Sequence, residues 1–177
     1  MNERDTRPIA LIGLMGAGKS AVGRALGARL GGRAEDLDLR IESAAGATVA
    51  EIFAREGEAG FRAREKAALA AALTGAPAVI ACGGGVVLDP ANRLALREQC
   101  RVVWLEVTPT IAARRIVTQP TLRPALGAGP VEGRLEALLR ERGALYESMA
   151  ELRVESGDET PDQIAERIVA GLTMGAT

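Results

Sequence analysis

Gly13-Leu14-Met15-Gly16-Ala17-Gly18-Lys19-Ser20 stands directly after the apolar run Ile9-Ala10-Leu11-Ile12. A glycine, four residues and then Gly-Lys-Ser is the spacing of a phosphate-binding loop. Gly13, Gly16 and Gly18 let the backbone turn tightly and aim its N–H groups inward at an anion. Lys19 supplies a point charge for the outer phosphates, and Ser20 offers a hydroxyl to a magnesium ion. Ser20 also opens a helix, whose N-terminal dipole favours negative charge. The flanks suit the motif: a strand precedes it, and a helical stretch over 21–30 follows, ended by Gly31-Gly32.

Composition narrows the chemistry. The 177 residues suffice for one domain with a substantial core. A formal net charge of −1 argues against a nucleic-acid surface or a polybasic membrane patch. Cys82 and Cys100 lie in or beside apolar runs without metal-ligand spacing, so buried, reduced thiols in a cytoplasmic protein are expected. The polar start, Met1-Asn2-Glu3-Arg4-Asp5, has no signal-peptide core. No apolar run approaches the ~20 residues that span a bilayer. The chain contains no histidine, which removes Ser-His-Asp and Cys-His catalysis and most zinc sites together. Chemistry must then run on carboxylates, Lys, Arg, backbone amides and a bound cation. Phosphoryl transfer can do so, because it needs mainly positioning and charge stabilisation.

Downstream, Ala34-Glu35-Asp36-Leu37-Asp38 reads as a short strand ending in two carboxylates, with Asp36 and Asp38 on one side of an extended segment. A short helix over 39–45 stops at Gly46, and Thr48-Val49-Ala50-Glu51 is a capping box that opens another. Gly57 and Gly60 interrupt that helix before it continues over 61–73, where Arg64 and Glu65 read as surface pairs. A buried strand over 78–82 ends in Gly83-Gly84-Gly85. Asp89-Pro90 and Thr108-Pro109 each start a helix, on either side of a strand over 102–107. Glu106, which closes that strand, reads as structural. The segment 118–130 holds three prolines and two glycines around Arg123, the composition of a mobile loop. A helix over 131–150, a strand over 152–154 and a terminal helix capped by Thr160-Pro161-Asp162-Gln163 complete the chain.

Strands alternating with helices, several of them apolar throughout, predict a parallel sheet covered on both faces. Ligands then gather at the carboxyl ends of the strands. The phosphate loop, the aspartates, the triple glycine and the Arg123 loop all fall there.

Gly-Leu-Met-Gly-Ala-Gly-Lys-Ser with Gly23-Arg24, then Asp36-x-Asp38-x-x-Ile41-Glu42, resembles the opening of shikimate kinases. So do Glu51-Ile52-Phe53, Gly57-Glu58, Phe61-Arg62-x-x-Glu65, Gly83-Gly84-Gly85, Leu122-Arg123-Pro124 and Arg142-x-x-x-Tyr146, in order over 8–172. The resemblance implies an α/β, three-layer P-loop NTPase fold: a five-stranded parallel sheet flanked by helices. It also implies one domain over 1–177, a substrate-binding region near 38–65 and a mobile lid near 118–130. Implied too is ATP- and magnesium-dependent phosphorylation of the shikimate 3-hydroxyl, on the way to chorismate and the aromatic amino acids. By the same resemblance Gly16, Ala17, Gly18, Lys19, Ser20 and Ala21 hold the ATP phosphates, and Ser20 and Asp36 serve magnesium. Asp38 bonds the acceptor hydroxyls and takes a proton. Arg62 and Arg142 grip the carboxylate, the Gly84 and Gly85 amides touch the acceptor, and Arg123 reaches the transferring phosphate. Arg115, or its neighbour Arg114, contacts adenine. A cytoplasmic monomer without nucleic-acid or membrane partners is expected.

Other readings of these residues are a gluconate or nucleoside monophosphate kinase, and a catalytically silent ATP-binding module. A GTPase is excluded, since the chain has neither Asn-Lys-x-Asp nor Asp-x-x-Gly. Ala21 stands where the family commonly has Thr, and Glu155-Ser156-Gly157-Asp158 lacks the basic residue some members place near adenine.

Overall fold

The computed structural model describes residues 6–118 and 130–174. Its centre is a five-stranded, wholly parallel sheet in the order β2-β3-β1-β4-β5. The strands are β1 (Ile9–Ile12), β2 (Ala34–Asp36), β3 (Val79–Ala81), β4 (Arg101–Glu106) and β5 (Leu152–Glu155). The helices are α1 (Lys19–Arg29), α2 (Leu37–Ala45), α3 (Val49–Thr74), α4 (Pro90–Gln99), α5 (Pro109–Val117), α6 (Val131–Met149) and α7 (Pro161–Met174). A short 3-10 turn, Val86–Leu88, follows the triple glycine and carried no sequence signal of its own.

Strand periodicity sorts the core into two layers. Ile9 and Leu11 of β1, with Val103 and Leu105 of β4, pack under α1, α5 and α7. Ala10 and Ile12, with Val102 and Trp104, point the other way into residues of α2, α3 and α4. Helix α6 serves both layers, placing Leu135 in the first and Tyr146 in the second. β1 and β4 are buried on both faces, which is why they read as continuous apolar runs.

The register sets the site. Leu11 and Asp36 both pair with Ala81, and Ile12 pairs with Trp104. The carboxyl ends of β2, β3 and β1 therefore finish within one residue of one another, and β4 runs two residues past β1. The β1-to-β2 connection runs to one side of β1 and the β3-to-β4 connection crosses to the other, the topology that opens a ligand crevice.

The structure corrects three sequence expectations. β2 stops at Asp36, whose carboxylate accepts from the Asp38 N–H (3.0 Å) and the Leu39 N–H (3.2 Å), so Asp36 caps α2 and Asp38 lies in its first turn. The two aspartates are thus not alternate residues of a strand, because capping competes with extension at Asp36. The break in α3 falls at Gly57 alone (φ 69, ψ −173), and Gly60 continues the helix. Glu65 is 1% exposed and no surface residue.

Candidate active site

The phosphate loop joins β1 to α1. Gly16 (φ 78) and Gly18 (φ 86) occupy left-handed backbone that a side chain would strain. Gly18 is the N-cap of α1 and brings no side-chain cap, which leaves the first helical amides to an anion. Lys19 is buried and donates to the carbonyls of Gly13 and Leu14, both at 2.8 Å. Burial lowers its pKa, against the pull of Asp38, Cys82 and Asp36. Ser20 is exposed beside it, Ala21 is half-buried and Ala17 is buried, so Ala17 has only its backbone to offer a ligand.

A second set of groups meets the loop at the triple glycine. A Cβ on Gly83 would lie 2.7 Å from Glu65 Oε1 and 3.2 Å from Asp38 Oδ1. One on Gly84 would lie 3.4 Å from the Gly13 carbonyl and 3.5 Å from the Met15 nitrogen. One on Gly85 would run into the Arg62 guanidinium. Gly83 and Gly85 thus let Asp38, Glu65 and Arg62 crowd one short piece of backbone, and Gly84 between them lies at ordinary contact distance from the phosphate loop. Burial raises the Asp38 carboxyl to about 6, helped by Asp36 and opposed by Lys19. It remains ionised at neutral pH, yet is basic enough to accept a proton.

Arg62 is aimed by its own helix. Its Nη1 meets Glu65 Oε2 at 2.7 Å and its Nη2 meets Glu58 Oε1 at 3.3 Å. Glu65 also feels Arg142, so one buried carboxylate faces both arginines. Nε of Arg62 and Nε of Arg142 are buried without a hydrogen-bond partner among the described residues, although Glu141 lies 3.6 Å from the latter. Two guanidinium groups with donors unspent, both facing Glu65, suit a planar anion.

Sequence reasoning missed the role of Glu65. Its signal was present: with Phe61, Ala68, Leu69 and Ala72 it falls on the buried stripe of α3. Arg64 is the surface partner, held by Glu56 at 2.8 and 2.9 Å. Tyr146 stood in the Arg142-x-x-x-Tyr146 motif without a role, and its hydroxyl donates to the Gly84 carbonyl at 2.5 Å. Glu106 pairs with Arg153 through two 2.6 Å bonds on the sheet edge, as a structural residue would.

On the other flank, Arg115 Nη1 donates to the Gly16 carbonyl and to Ser156 Oγ, both at 3.0 Å, and its Nη2 reaches the Gly157 carbonyl. Ser156 is buried and donates to the Ala17 carbonyl at 2.8 Å. The turn after β5 therefore clasps the phosphate loop through Arg115, whereas Arg114 points outward to Asp158. Arg123 and the expected lid core, 119–129, lie outside the described residues. Among the described residues no cluster of three or more His, Cys, Asp or Glu could cage a metal, and no helix is long and apolar enough to cross a membrane.

Comparison with known proteins places the whole chain. The family model described as "Shikimate kinase" matches residues 15–173. A shikimate kinase of Thermobifida fusca is 47% identical over 168 residues, covering 94% of this chain and 96% of the relative. The solved structure of the Acinetobacter baumannii shikimate kinase in complex with shikimate superposes with a TM-score of 0.90 at 35% identity, covering 95% of this chain and 93% of that one. A gluconokinase from Sinorhizobium meliloti superposes less closely, with a TM-score of 0.59 at 20% identity over 98% of this chain and 95% of that one, a likeness of fold alone. A family match over residues 15–173, with relatives alike over nearly the whole length of the chain, makes this protein a member of the shikimate kinase family.

Proposed function

We propose that this protein transfers the γ-phosphoryl group of ATP to the 3-hydroxyl of shikimate. The observation that carries the reading is the contact of the two half-sites: the Gly84 backbone lies against Gly13 and Met15 of the phosphate loop. A carboxylate acceptor bound between Arg62 and Arg142 then presents its ring to Asp38 and the glycine amides, next to the nucleotide phosphates. The attacking hydroxyl gives its proton to Asp38 as its oxygen forms the new P–O bond. The bond from the γ-phosphorus to the bridging oxygen breaks, and ADP leaves. Lys19 and the first amides of α1 take up the charge that develops on the phosphates.

Ser20 and Asp36 fit magnesium of the kind that keeps most of its water: a hydroxyl and one carboxylate near the phosphate loop, with no carboxylate cage among the described residues. When bound, the ion would neutralise phosphate charge. Asp36 already spends one oxygen on the α2 cap, which leaves the other for the ion's water shell. The resemblance alone assigns Arg123 to the transferring phosphate and Arg115 or Arg114 to adenine, and a cytoplasmic monomer is part of the same proposal.

The test is ATP consumption with shikimate, gluconate or a nucleoside monophosphate as acceptor. Turnover with shikimate only, giving a phosphate ester at the 3-hydroxyl by phosphorus NMR, is expected. Equal turnover with gluconate or a nucleotide contradicts the assignment.

A further inference from the structure

We propose that Tyr146 is a positioning residue for acceptor binding, its hydroxyl bridging the Arg142 guanidinium to the Gly84 carbonyl. The inference rests on the shikimate kinase reading and adds a residue to it.

The geometry begins with helix spacing. Arg142 and Tyr146 are four residues apart on α6, so their side chains share one face, a turn apart. Tyr146 is fully buried, and its ring packs against Trp104 with centroids 5.9 Å apart, which fixes where the hydroxyl can lie. That hydroxyl donates to the Gly84 carbonyl at 2.5 Å. Burial pushes the phenol up to about 12, while the Arg142 charge and hydrogen bond work in the opposite direction. The phenol is therefore protonated at neutral pH. Its one proton goes to Gly84, and its lone pairs remain to accept from Arg142.

Two consequences follow for the cleft. A peptide unit is planar and trans, so holding the Gly84 carbonyl toward Tyr146 turns the Gly85 N–H the opposite way. The same hydroxyl restrains Arg142, whose side chain is 13% exposed and would otherwise have several rotamers. One oxygen thus sets the relative placement of a carboxylate-binding fork and a backbone donor that lie on different elements. Serial hydrogen bonds of this type also polarise one another.

Tyr146→Phe keeps the ring against Trp104 and removes only the bridge. The shikimate KM should rise about tenfold, the effect of losing one buried hydrogen bond, with the ATP KM within about twofold of wild type and kcat little changed. In an Arg142→Ala background the same substitution should raise the shikimate KM by a smaller factor, because half of what it positions is already gone. Tyr146→Leu, which also loses the packing, separates this from general loosening by lowering thermal stability and disturbing both substrates. An unchanged shikimate KM in Tyr146→Phe overturns the proposal, as does an equal rise in both KM values or a penalty undiminished by Arg142→Ala. The wild-type rate in the same assay is the control. Absence of wild-type turnover on shikimate removes the kinase reading and this inference together, whereas normal wild-type turnover with an unmoved Tyr146→Phe removes only the role of Tyr146.

Discussion

Lys19 and Glu65 are both buried charges, and they are tolerated for different reasons. Lys19 faces Asp36 and Asp38 and is tied to two loop carbonyls, so it is held where the outer phosphates would lie. Lys19→Ala should lower kcat by about a thousandfold or more, the value of a positioned charge at a transferring phosphoryl group, with helix content by circular dichroism unchanged. A folded variant with near-normal kcat would remove Lys19 from the chemistry. Glu65 is costly to the fold. Burial raises its pKa despite Arg62 and Arg142, and a raised folded-state pKa means that ionisation of Glu65 opposes folding. That penalty is absent below the range where the unfolded side chain titrates, near pH ~4.3, and grows as pH rises through the folded-state pKa. Glu65→Gln should therefore match or exceed the wild-type Tm at neutral pH, with the difference vanishing in acid. Its shikimate KM should rise about tenfold, since Arg62 loses a charge-assisted bond. A variant less stable at neutral pH, or with an unaltered KM, would contradict this account of Glu65.

At the scale of elements, two short backbone pieces carry the site. Gly57 breaks α3 at φ 69 and ψ −173, a region that only glycine enters freely, and no atom lies within 4 Å of where its Cβ would be. The cost of Gly57→Ala is then conformational: about 1–3 kcal/mol of stability by urea denaturation, with a raised shikimate KM as the Arg62 segment is re-aimed. Stability equal to wild type would show that the break is incidental. The triple glycine makes a finer distinction. Gly85→Ala drives a methyl into Arg62 and should raise the shikimate KM while sparing ATP, whereas a Gly84→Ala methyl meets Gly13 and Met15 at ordinary contact distance and should leave both KM values nearly unchanged. Steady-state kinetics of the two variants check this, and the opposite pattern would place the half-sites wrongly.

At the scale of the whole molecule, the fold was legible where period and punctuation agree. The apolar runs of β1 and β4, the Asp89-Pro90 and Thr108-Pro109 helix starts and the Thr48 capping box all appear as read. The proposed acceptor site was legible in part, because Arg62, Gly84 and Arg142 follow a family pattern. Glu65 and Tyr146 were hidden for a physical reason: each looks like an ordinary helix residue until β3 and the triple glycine are folded against it. Asp38 was misplaced because a cap and a strand end look alike over five residues of sequence.

The central claim is that Arg142, distant in sequence from Arg62, completes a carboxylate-binding cleft beside the phosphate loop. It is tested most directly by kcat/KM for shikimate and for its methyl ester, each with wild type and Arg142→Ala. Truncating one fork of a desolvated charge pair costs about 2–5 kcal/mol, so shikimate should lose on the order of a hundredfold, mainly in KM. The ester should start as a poor substrate and lose far less, because it never made the full contact. If the two losses simply multiply, Arg142 does not hold the carboxylate, and the assignment of the cleft is wrong.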